Sequence, residues 1–335
     1  MTVAPIRTDP ALPVACGPLS AAVCELLRRP AGSTAGFDPP IDGAEPVGRD
    51  LQLALYVCYE MHYRGFAGVD PGWEWDATLL ELRAQLEQVF LDSVRNDVGT
   101  IPPGTTANDE MAAAATEPVH GSGPSWYLRD HGSWEQAREY FVHRSLYHLK
   151  EGDPHAWMIP RLAGQAKASF VAVEFDEYGA GSGPRVHQQL FAELLAAAGL
   201  DTGYLAYLDV VPAESLAVVN LMSLFGLHRR WLGAAAGHFA STEITSPPGS
   251  ARLVAALRRM GAPPPCVTFY AEHVEADAVH EQVVRTGLVG DLLRRAPQLE
   301  ADVVFGMRAR DAVENRLADL MLTAWSAGGS SLPAL

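Results

Sequence analysis

The spacing of apolar residues restricts this chain to a helical fold. In residues 76–95, Leu79, Leu82 and Leu86 recur at intervals of three and four, which places their side chains on one face of an α-helix. Similar spacings recur along the chain, whereas the alternating apolar and polar residues of β-strands are almost absent. The sequence therefore predicts an all-α bundle. Further predicted helices span residues 134–150, 160–178, 185–198, 212–224, 229–243, 250–260, 269–286 and 308–327.

The composition divides the chain into an N-terminal extension and a helical domain. Residues 1–47 are rich in Pro, Gly and Ala, with one short helix predicted at 19–29. We expect this extension to be partly ordered and either to pack on the bundle or to form a dimer contact. Residues 48–335 form the predicted helical domain. Within it, residues 98–132 are rich in Gly, Pro and Thr and predict a long surface connection.

The charge and the cysteines exclude several classes of function. A formal net charge of −15 argues against nucleic acid and anionic membrane surfaces as partners. No apolar run reaches the length of a membrane span, and the first ten residues lack the apolar core of a signal peptide. The four cysteines contain no Cys-x-x-Cys pair, which excludes a zinc ribbon or a thiolate cluster. Scattered cysteines fit reduced thiols, so we predict a cytoplasmic location.

One uninterrupted helical stretch, residues 269–281, carries three side chains that suit a metal ion. At about 100° per residue, His273, Asp277 and His280 fall within roughly 60° of one another. Two imidazoles and a carboxylate form a mixed nitrogen and oxygen set, which suits iron or manganese better than a metal that prefers sulfur. The alternative is a polar surface face that happens to carry two histidines.

Three other segments offer ligands that a helical bundle could turn inward towards a metal. Glu177 and His187 lie on either side of a glycine-rich break between two helices. Glu243 ends a helix rich in small residues, either as a buried carboxylate or as the exposed end of that helix. Glu139 lies on a polar helical face that is either a solvated stripe or a source of ligands.

Together these residues resemble the ligand set of the haem-oxygenase-like di-iron oxidases, often described as iron-containing redox enzymes. The resemblance covers about residues 133–285 and is most specific at the helix with His273, Asp277 and His280. It implies a haem-oxygenase-like helical bundle without haem, in which a glutamate from an earlier helix completes the site. The implied metal ligands are Glu139, Glu177, His187, Glu243, His273, Asp277 and His280. Glu60 and Glu151 are alternatives to Glu139 as the early glutamate.

The resemblance also implies the chemistry. Its cofactor is two ferrous ions, and O2 is a co-substrate that reacts through a peroxo-diferric intermediate. We expect a non-haem di-iron oxygenase that N-oxygenates a small amine or an amino-acid-derived substrate in a biosynthetic pathway. An external electron donor and a second copy of the chain, in a homodimer, are further candidate partners.

The same site has an alternative reaction, oxidative C–C cleavage of a carboxylate-bearing substrate. A buried cation near the irons would favour cleavage by anchoring the carboxylate. The cations in suitable segments are Arg144, Arg161, Lys167 and Arg185.

Two other classes of function remain open at this point. One is a metal-free, thiaminase-like hydrolase, for which Cys266 is the only cysteine near the motif region. The other is a non-catalytic helical binding protein. The metal content of the purified protein separates these classes from a di-iron enzyme.

Overall fold

The computed structural model describes residues 9–332, apart from the side chains of residues 275–279. Within this part of the chain every regular element is helical and no strand occurs, which confirms the all-α class. Among the described residues, no helix combines the length and apolar character needed to cross a membrane.

In chain order the α-helices are α1 (Pro18–Leu27), α2 (Arg49–Glu60), α3 (Ala77–Val98), α4 (Ala107–Ala114), α5 (Pro124–Asp130), α6 (Trp134–His148), α7 (Asp153–Ala156), α8 (Gly164–Glu177), α9 (His187–Ala197), α10 (Ala213–Leu227), α11 (Leu232–Met260), α12 (Pro264–Gln282), α13 (Gly290–Arg295) and α14 (Glu300–Ser326). Short 3₁₀ turns lie at Pro71–Trp75, Gly179–Gly181, Gly183–Arg185, Arg229–Trp231 and Pro297–Leu299.

Side-chain caps fix the starts of several helices. The Asp76 carboxylate accepts hydrogen bonds from the amides of Thr78 and Leu79, at 2.9 and 3.2 Å, at the start of α3. At the start of α6, the Ser133 hydroxyl accepts from the Gln136 amide at 3.3 Å, and the Gln136 side chain accepts from the Ser133 amide at 2.9 Å. Such caps satisfy amides that have no partner inside the helix.

The first helix shares the core of the bundle. Asp50, in the first turn of α2, accepts hydrogen bonds from the amides of Leu19 and Ser20 at 2.9 and 2.8 Å. Val23 and Leu26 are fully buried and belong to one continuous apolar cluster with residues of α2. Helix α1 therefore packs against α2, while a domain boundary near residue 48 stays a prediction.

Residues 98–132 are more ordered than the sequence predicts. Helices α4 and α5 lie in this segment and pack on α11, and they bury Met111 and Leu128. The Thr106 hydroxyl caps α4, and Pro124 takes the first position of α5, where a missing amide removes no hydrogen bond. The segment lies largely at the surface, as predicted, but it contains two helices that the sequence does not reveal, because they are too short to show a clear apolar stripe.

Helix α11 runs for 29 residues through a Pro-Pro pair that predicts a break. Pro247 and Pro248 lack the amides that would bond to the carbonyls of Glu243 and Ile244, four residues earlier. Helix α11 nevertheless continues, because its buried face packs along both α12 and α14. The separate helices predicted for residues 229–243 and 250–260 are therefore one helix, in which tertiary packing outweighs the two lost hydrogen bonds.

A π-helical segment, Val283–Val289, joins α12 to α13 and lies against α8. A Cβ atom added to Gly287 would overlap the Ser169 hydroxyl of α8. Beyond the segment, the Asp291 carboxylate accepts a hydrogen bond at 3.0 Å from the Ala166 amide, in the first turn of α8. The chain after the π-helical segment is thereby fixed to the start of α8.

Glycines allow α11 and α14 to approach each other closely. A Cβ added to Gly306 of α14 would overlap the carbonyl oxygen of Ala234, and one added to Gly237 of α11 would overlap the carbonyl oxygen of Val303. Both overlaps involve backbone atoms, which a side-chain rotation cannot relieve. The position of α11 in the bundle therefore depends on these two glycines.

We expect Gly306→Ala to lower the free energy of unfolding by about 1–3 kcal/mol, because the two helices must separate to admit the methyl group. Gly249→Ala, within α11, is the matched control: its nearest neighbouring atom is an Arg252 nitrogen 3.9 Å away. This control should be neutral or stabilising by up to about 1 kcal/mol, since alanine favours helix. Denaturant unfolding measures both, and an equal effect of the two substitutions would contradict the close approach.

Candidate metal centre

Six buried side chains converge where α8, α9, α11 and α12 meet the turn after α6. They are Glu151, Glu177, His187, Glu243, His273 and His280. Their exposed fractions lie between 3% and 6%. Five of the six belong to the predicted ligand set, and each comes from a different segment or helical turn. The bundle thus brings together residues that are up to 129 positions apart in the sequence, from 151 to 280.

The glycine-rich break brings Glu177 and His187 together. Glu177 is the last residue of α8, and His187 is the first of α9. Gly179, in the break, has a φ of +70°, and a Cβ atom there would lie 2.6 Å from the carbonyl carbon of Arg185. Only glycine fits this reversal of the chain, so the local sequence determines that the two ligands face each other.

The first group of potential ligands contains Glu151, Glu177, His187 and His273. One nitrogen or carboxylate oxygen from each of the four lies within 4.8 Å of those from the others. His187 Nδ1 is 2.8 Å from Glu177 Oε2 and 4.0 Å from Glu151 Oε2. His273 Nε2 is 3.5 Å from Glu151 Oε1. The group could supply two imidazole nitrogens and two carboxylates to one ion.

The second group contains Glu177, Glu243 and His280, whose ligand atoms also lie within 4.8 Å of one another. His280 Nδ1 is 3.1 Å from Glu243 Oε2, and its Nε2 is 3.0 Å from Asp176 Oδ2. The Asp176 side chain is 49% exposed, so this contact connects the buried His280 with the protein surface. Glu177 belongs to both groups, which places its carboxylate where it could bridge two ions.

The charges of these residues favour a bound cation. Glu174, one helical turn before Glu177, is buried, and neither of its carboxylate oxygens has a hydrogen-bond partner in the described part of the chain. Burial, followed by repulsion from Glu177 and Glu243, raises the pKa of Glu174 to about 9. Burial is the larger cause of this shift, and the neighbouring carboxylates add a negative potential at the centre of the bundle. Buried carboxylates at this density need protons or cations to neutralise them.

The donor atoms also fit iron. His187 Nδ1 and Glu177 Oε2 are close, yet neither has a hydrogen-bond partner of acceptable geometry among the described residues. Glu151 Oε2 is likewise buried without such a partner. Buried lone pairs of this kind are costly unless an ion or a proton uses them. Carboxylate oxygens with imidazole nitrogens are the mixed set that divalent iron accepts.

His148 supports Glu151 from outside the two groups. Its Nδ1 atom lies 2.8 Å from Glu151 Oε1. Burial raises the pKa of Glu151, but His148 and His273 outweigh burial and hold that pKa well below its usual range. Glu151 is therefore ionised at neutral pH, as a metal ligand must be.

Of the candidate early glutamates, the structure places Glu151, and not Glu139, among the buried potential ligands. The Glu139 carboxylate accepts hydrogen bonds from Trp325 Nε1 at 2.9 Å and from the amide and hydroxyl of Ser331 at 2.9 and 2.7 Å. It lies in neither ligand group. On the same helix, His143 bonds to the Ser331 and Ser215 hydroxyls. The polar face of α6 therefore contacts the C-terminal segment, and the role of Glu139 as a ligand stays a prediction without support from its position.

Glu60, the other alternative, is also absent from the two groups. Its carboxylate lies 2.9 Å from Lys150 Nζ and accepts a hydrogen bond from the Tyr204 hydroxyl at 2.7 Å. A buried cation already balances the charge of this glutamate, so Glu60 needs no metal ion to neutralise it. Asp277 lies outside the described side chains, and its role as a ligand stays a prediction.

A family model described as iron-containing redox enzyme matches residues 138–315, more than half of the chain. The chain belongs to this family. The match confirms the resemblance and the haem-oxygenase-like fold class, and the matched region contains all six residues of the two groups of potential ligands. No curated protein matches the chain.

We expect Glu151→Gln to reduce iron binding and Glu139→Gln to leave it intact, because only Glu151 lies among the buried donors. Anaerobic reconstitution with Fe2+ should load about two ions in the native protein and in Glu139→Gln, and about one or fewer in Glu151→Gln. Iron assays and thermal unfolding measure this, since an ion that binds only the folded state raises its stability by about 2.7 kcal/mol at a hundredfold excess over Kd. Loss of iron from Glu139→Gln alone would contradict the assignment.

Proposed function

We propose that this protein is a non-haem di-iron oxygenase that N-oxygenates a small amine or amino-acid-derived substrate in a biosynthetic pathway. The observation that supports this most strongly is the pair of buried ligand groups that share Glu177. A single structural metal would need only one closed group. Two groups with a common carboxylate fit two adjacent ions that act on one small molecule.

Each ion would have its own protein ligands. Glu151, His187 and His273 would hold one, Glu243 and His280 the other, and Glu177 both. Asp277 stays a predicted further ligand on α12. When bound, two ferrous ions supply the binding and reduction of O2 on which an oxygenase depends. The protein residues orient these ions, balance their charge and exclude bulk water from them.

A cavity beside the first ligand group offers room for the substrate. It measures about 310 Å³, and Glu151 and His273 form part of its wall. The remaining wall mixes polar side chains, such as Tyr140, Thr242 and Asn315, with apolar ones such as Met222 and Leu253. A larger cavity of about 580 Å³ lies elsewhere, against Arg64 and Glu193, and contains none of the ligand residues. The smaller cavity is the better candidate because it reaches the site, and its mixed polar and apolar wall suits a small molecule that carries polar groups.

Oxidative C–C cleavage is the second candidate, and one observation favours it. Arg144 lines the cavity, where it could anchor a carboxylate-bearing chain. The other cations considered do not line it: Arg161 bonds to the carbonyls of Gly226 and Leu227, and Arg185 is exposed on the surface. Because an amino acid also carries a carboxylate, this arginine is compatible with both reactions.

The thiaminase-like alternative lacks a suitable nucleophile. Cys266 is fully buried, and its thiol lies 3.6 Å from the Leu194 carbonyl oxygen. Burial raises the pKa of this thiol to about 11, so almost none of the reactive thiolate forms at neutral pH.

Partners and location follow as further parts of the proposal. Insertion of one oxygen atom from O2 consumes two electrons beyond those of the substrate, so we propose an external electron donor. All four cysteines are free thiols, which supports a reducing, cytoplasmic location. A homodimer stays a prediction.

Anaerobically reduced, iron-loaded protein should consume O2 when an amine substrate is present, and His280→Ala should abolish this consumption because the second ion loses a ligand. Oxygen electrode measurements, together with mass spectrometry of the amine after exposure to 18O2, test for oxygen transfer to nitrogen. His228→Gln is the matched control, since His228 pairs with Glu87 outside the centre. If the protein binds two irons but consumes no O2 with any amine or carboxylate tested, the oxygenase assignment fails.

A further inference from the structure

The side chain of Gln188 connects two segments that carry potential ligands of the first group. Gln188 follows His187 in the first turn of α9. Its side-chain nitrogen donates a hydrogen bond at 3.0 Å to the carbonyl oxygen of Glu151, which lies in the turn after α6. Helix α9 has no side-chain cap at its start, so a contact from its first turn to another segment helps to fix its position. Gln188 thus holds the backbone of a residue whose carboxylate faces the centre.

The contacts of Gln188 extend to the end of α8. The same nitrogen donates a second hydrogen bond, at 3.2 Å, to Asp153 Oδ1. This oxygen also accepts a hydrogen bond at 3.1 Å from the hydroxyl of Tyr178, and Tyr178 directly follows Glu177, the carboxylate that both groups share. Three of the four residues of the first group therefore belong to this chain of hydrogen bonds or directly adjoin it.

Arg64 determines which way the amide of Gln188 faces. Arg64 Nη2 donates a hydrogen bond at 2.9 Å to Gln188 Oε1. A guanidinium can only donate hydrogen bonds, and a backbone carbonyl can only accept them. The amide oxygen therefore faces Arg64 and the amide nitrogen faces the Glu151 carbonyl, so a single orientation satisfies both. Arg64 Nη2 also lies 3.4 Å from the carbonyl oxygen of Leu149, two residues before Glu151.

Arg64 is itself held in place by its surroundings. Its guanidinium carbon lies 4.1 Å from the centre of the Tyr204 ring, which is a favourable distance for a cation–π contact. Its amide donates a hydrogen bond at 3.3 Å to Glu60, at the end of α2. Glu60 in turn pairs with Lys150, the residue before Glu151. The end of α2 therefore contacts the turn that carries Glu151 at two points.

We propose that Gln188 and Arg64 are positioning residues for the first ion: Gln188 sets the separation of Glu151 and His187, and Arg64 fixes the orientation of Gln188. This inference rests on the proposed function, because it needs an ion at the first group. Neither residue belongs to a ligand group, and Arg64 lies outside the region 138–315 that the family model matches. Loss of such outer contacts weakens metal binding by about 10- to 100-fold.

The second ion provides an internal control. Its potential ligands Glu243 and His280 lie on α11 and α12. The hydrogen bonds of Gln188 and Arg64 lead instead to the turn after α6, to α7 and to each other. A displaced Glu151 or a displaced start of α9 should therefore weaken one ion selectively, whereas a general loss of structure should weaken both.

Gln188→Met tests the proposal, because methionine has nearly the same length and cannot donate a hydrogen bond. Anaerobic calorimetric titration with Fe2+ should give a Kd at least about tenfold weaker for one ion, while the other Kd changes less than about threefold. The weakened ion should be the one that His280→Ala still binds. Gln189→Met is the matched control, since the side chain of Gln189 bonds to Glu193 on the exposed side of α9. It should change neither Kd.

Arg64→Met should weaken the same ion, because Gln188 then loses the donor that orients it. The double substitution should add less than about twofold to the larger single effect, since both residues act through one chain of hydrogen bonds. Circular dichroism of the metal-free variants should show unfolding midpoints lowered by less than about 5 °C, as expected for the loss of a few hydrogen bonds.

Three results would overturn the proposal. Unchanged Kd values in Gln188→Met, in a protein that natively binds two ions, would refute the positioning role and leave the proposed function intact. Equal weakening of both ions, with a large fall in the unfolding midpoint, would assign Gln188 a merely structural role. Failure of the native protein to bind two ions would refute the proposed function together with this inference.

Discussion

Mutual repulsion among buried carboxylates is the constraint on which the centre of this bundle depends. Glu151, Glu174, Glu177 and Glu243 are all nearly inaccessible to solvent, and burial, followed by repulsion from Glu177 and Glu243, raises the pKa of Glu174. A helical core that only had to be stable would place apolar residues at these positions, since buried charges cost more than they contribute. The arrangement is best understood as a site whose stability is completed by cations.

The rest of the bundle holds these carboxylates in place. Gly237 and Gly306 let α11 and α14 pack with their backbones in near contact, and this fixes the helix that carries Glu243. The reversal at Gly179 sets Glu177 opposite His187. Rigid backbone contacts on one side and a glycine-dependent turn on the other therefore determine the distances within the centre. Substitution of these glycines should therefore displace the potential ligands, although the glycines themselves supply none of the ligand atoms.

Most candidate ligands on regular helices can be recognised from the sequence, whereas Glu151, on a turn, is named there only as an alternative to Glu139. His273 and His280 are recognisable because helical geometry places residues seven apart on one face. Glu151 lies in a turn before Gly152, where no periodic pattern indicates the direction of a side chain. Glu139 has the periodic position that was expected of a ligand, but its partners Trp325 and Ser331 are distant in sequence.

The same distinction applies to the fold. Helices such as α3 and α6 begin within one residue of the predicted bounds, whereas α12 and α14 begin five and eight residues earlier than predicted. The sequence does not reveal α4 and α5, because each has only one or two buried positions. The Pro-Pro pair in α11 predicted a break that long-range packing overrides. Cavity-lining residues such as Arg144 and Arg310 come from helices far apart in sequence, so only the folded chain shows that they meet.

The π-helical segment between α12 and α13 sets the angle, about the helical axis, between the residues that precede it and the residues that follow it. Residues before Val283–Val289 present ligands to the centre, and Asp291 after it binds the start of α8. The wider winding of a π-helix lets both contacts form, although a uniform α-helix would set a different angle between them. Deletion of one residue there would rotate Asp291 by about 100° relative to His280. The length of this segment is therefore constrained as tightly as the identity of the ligands.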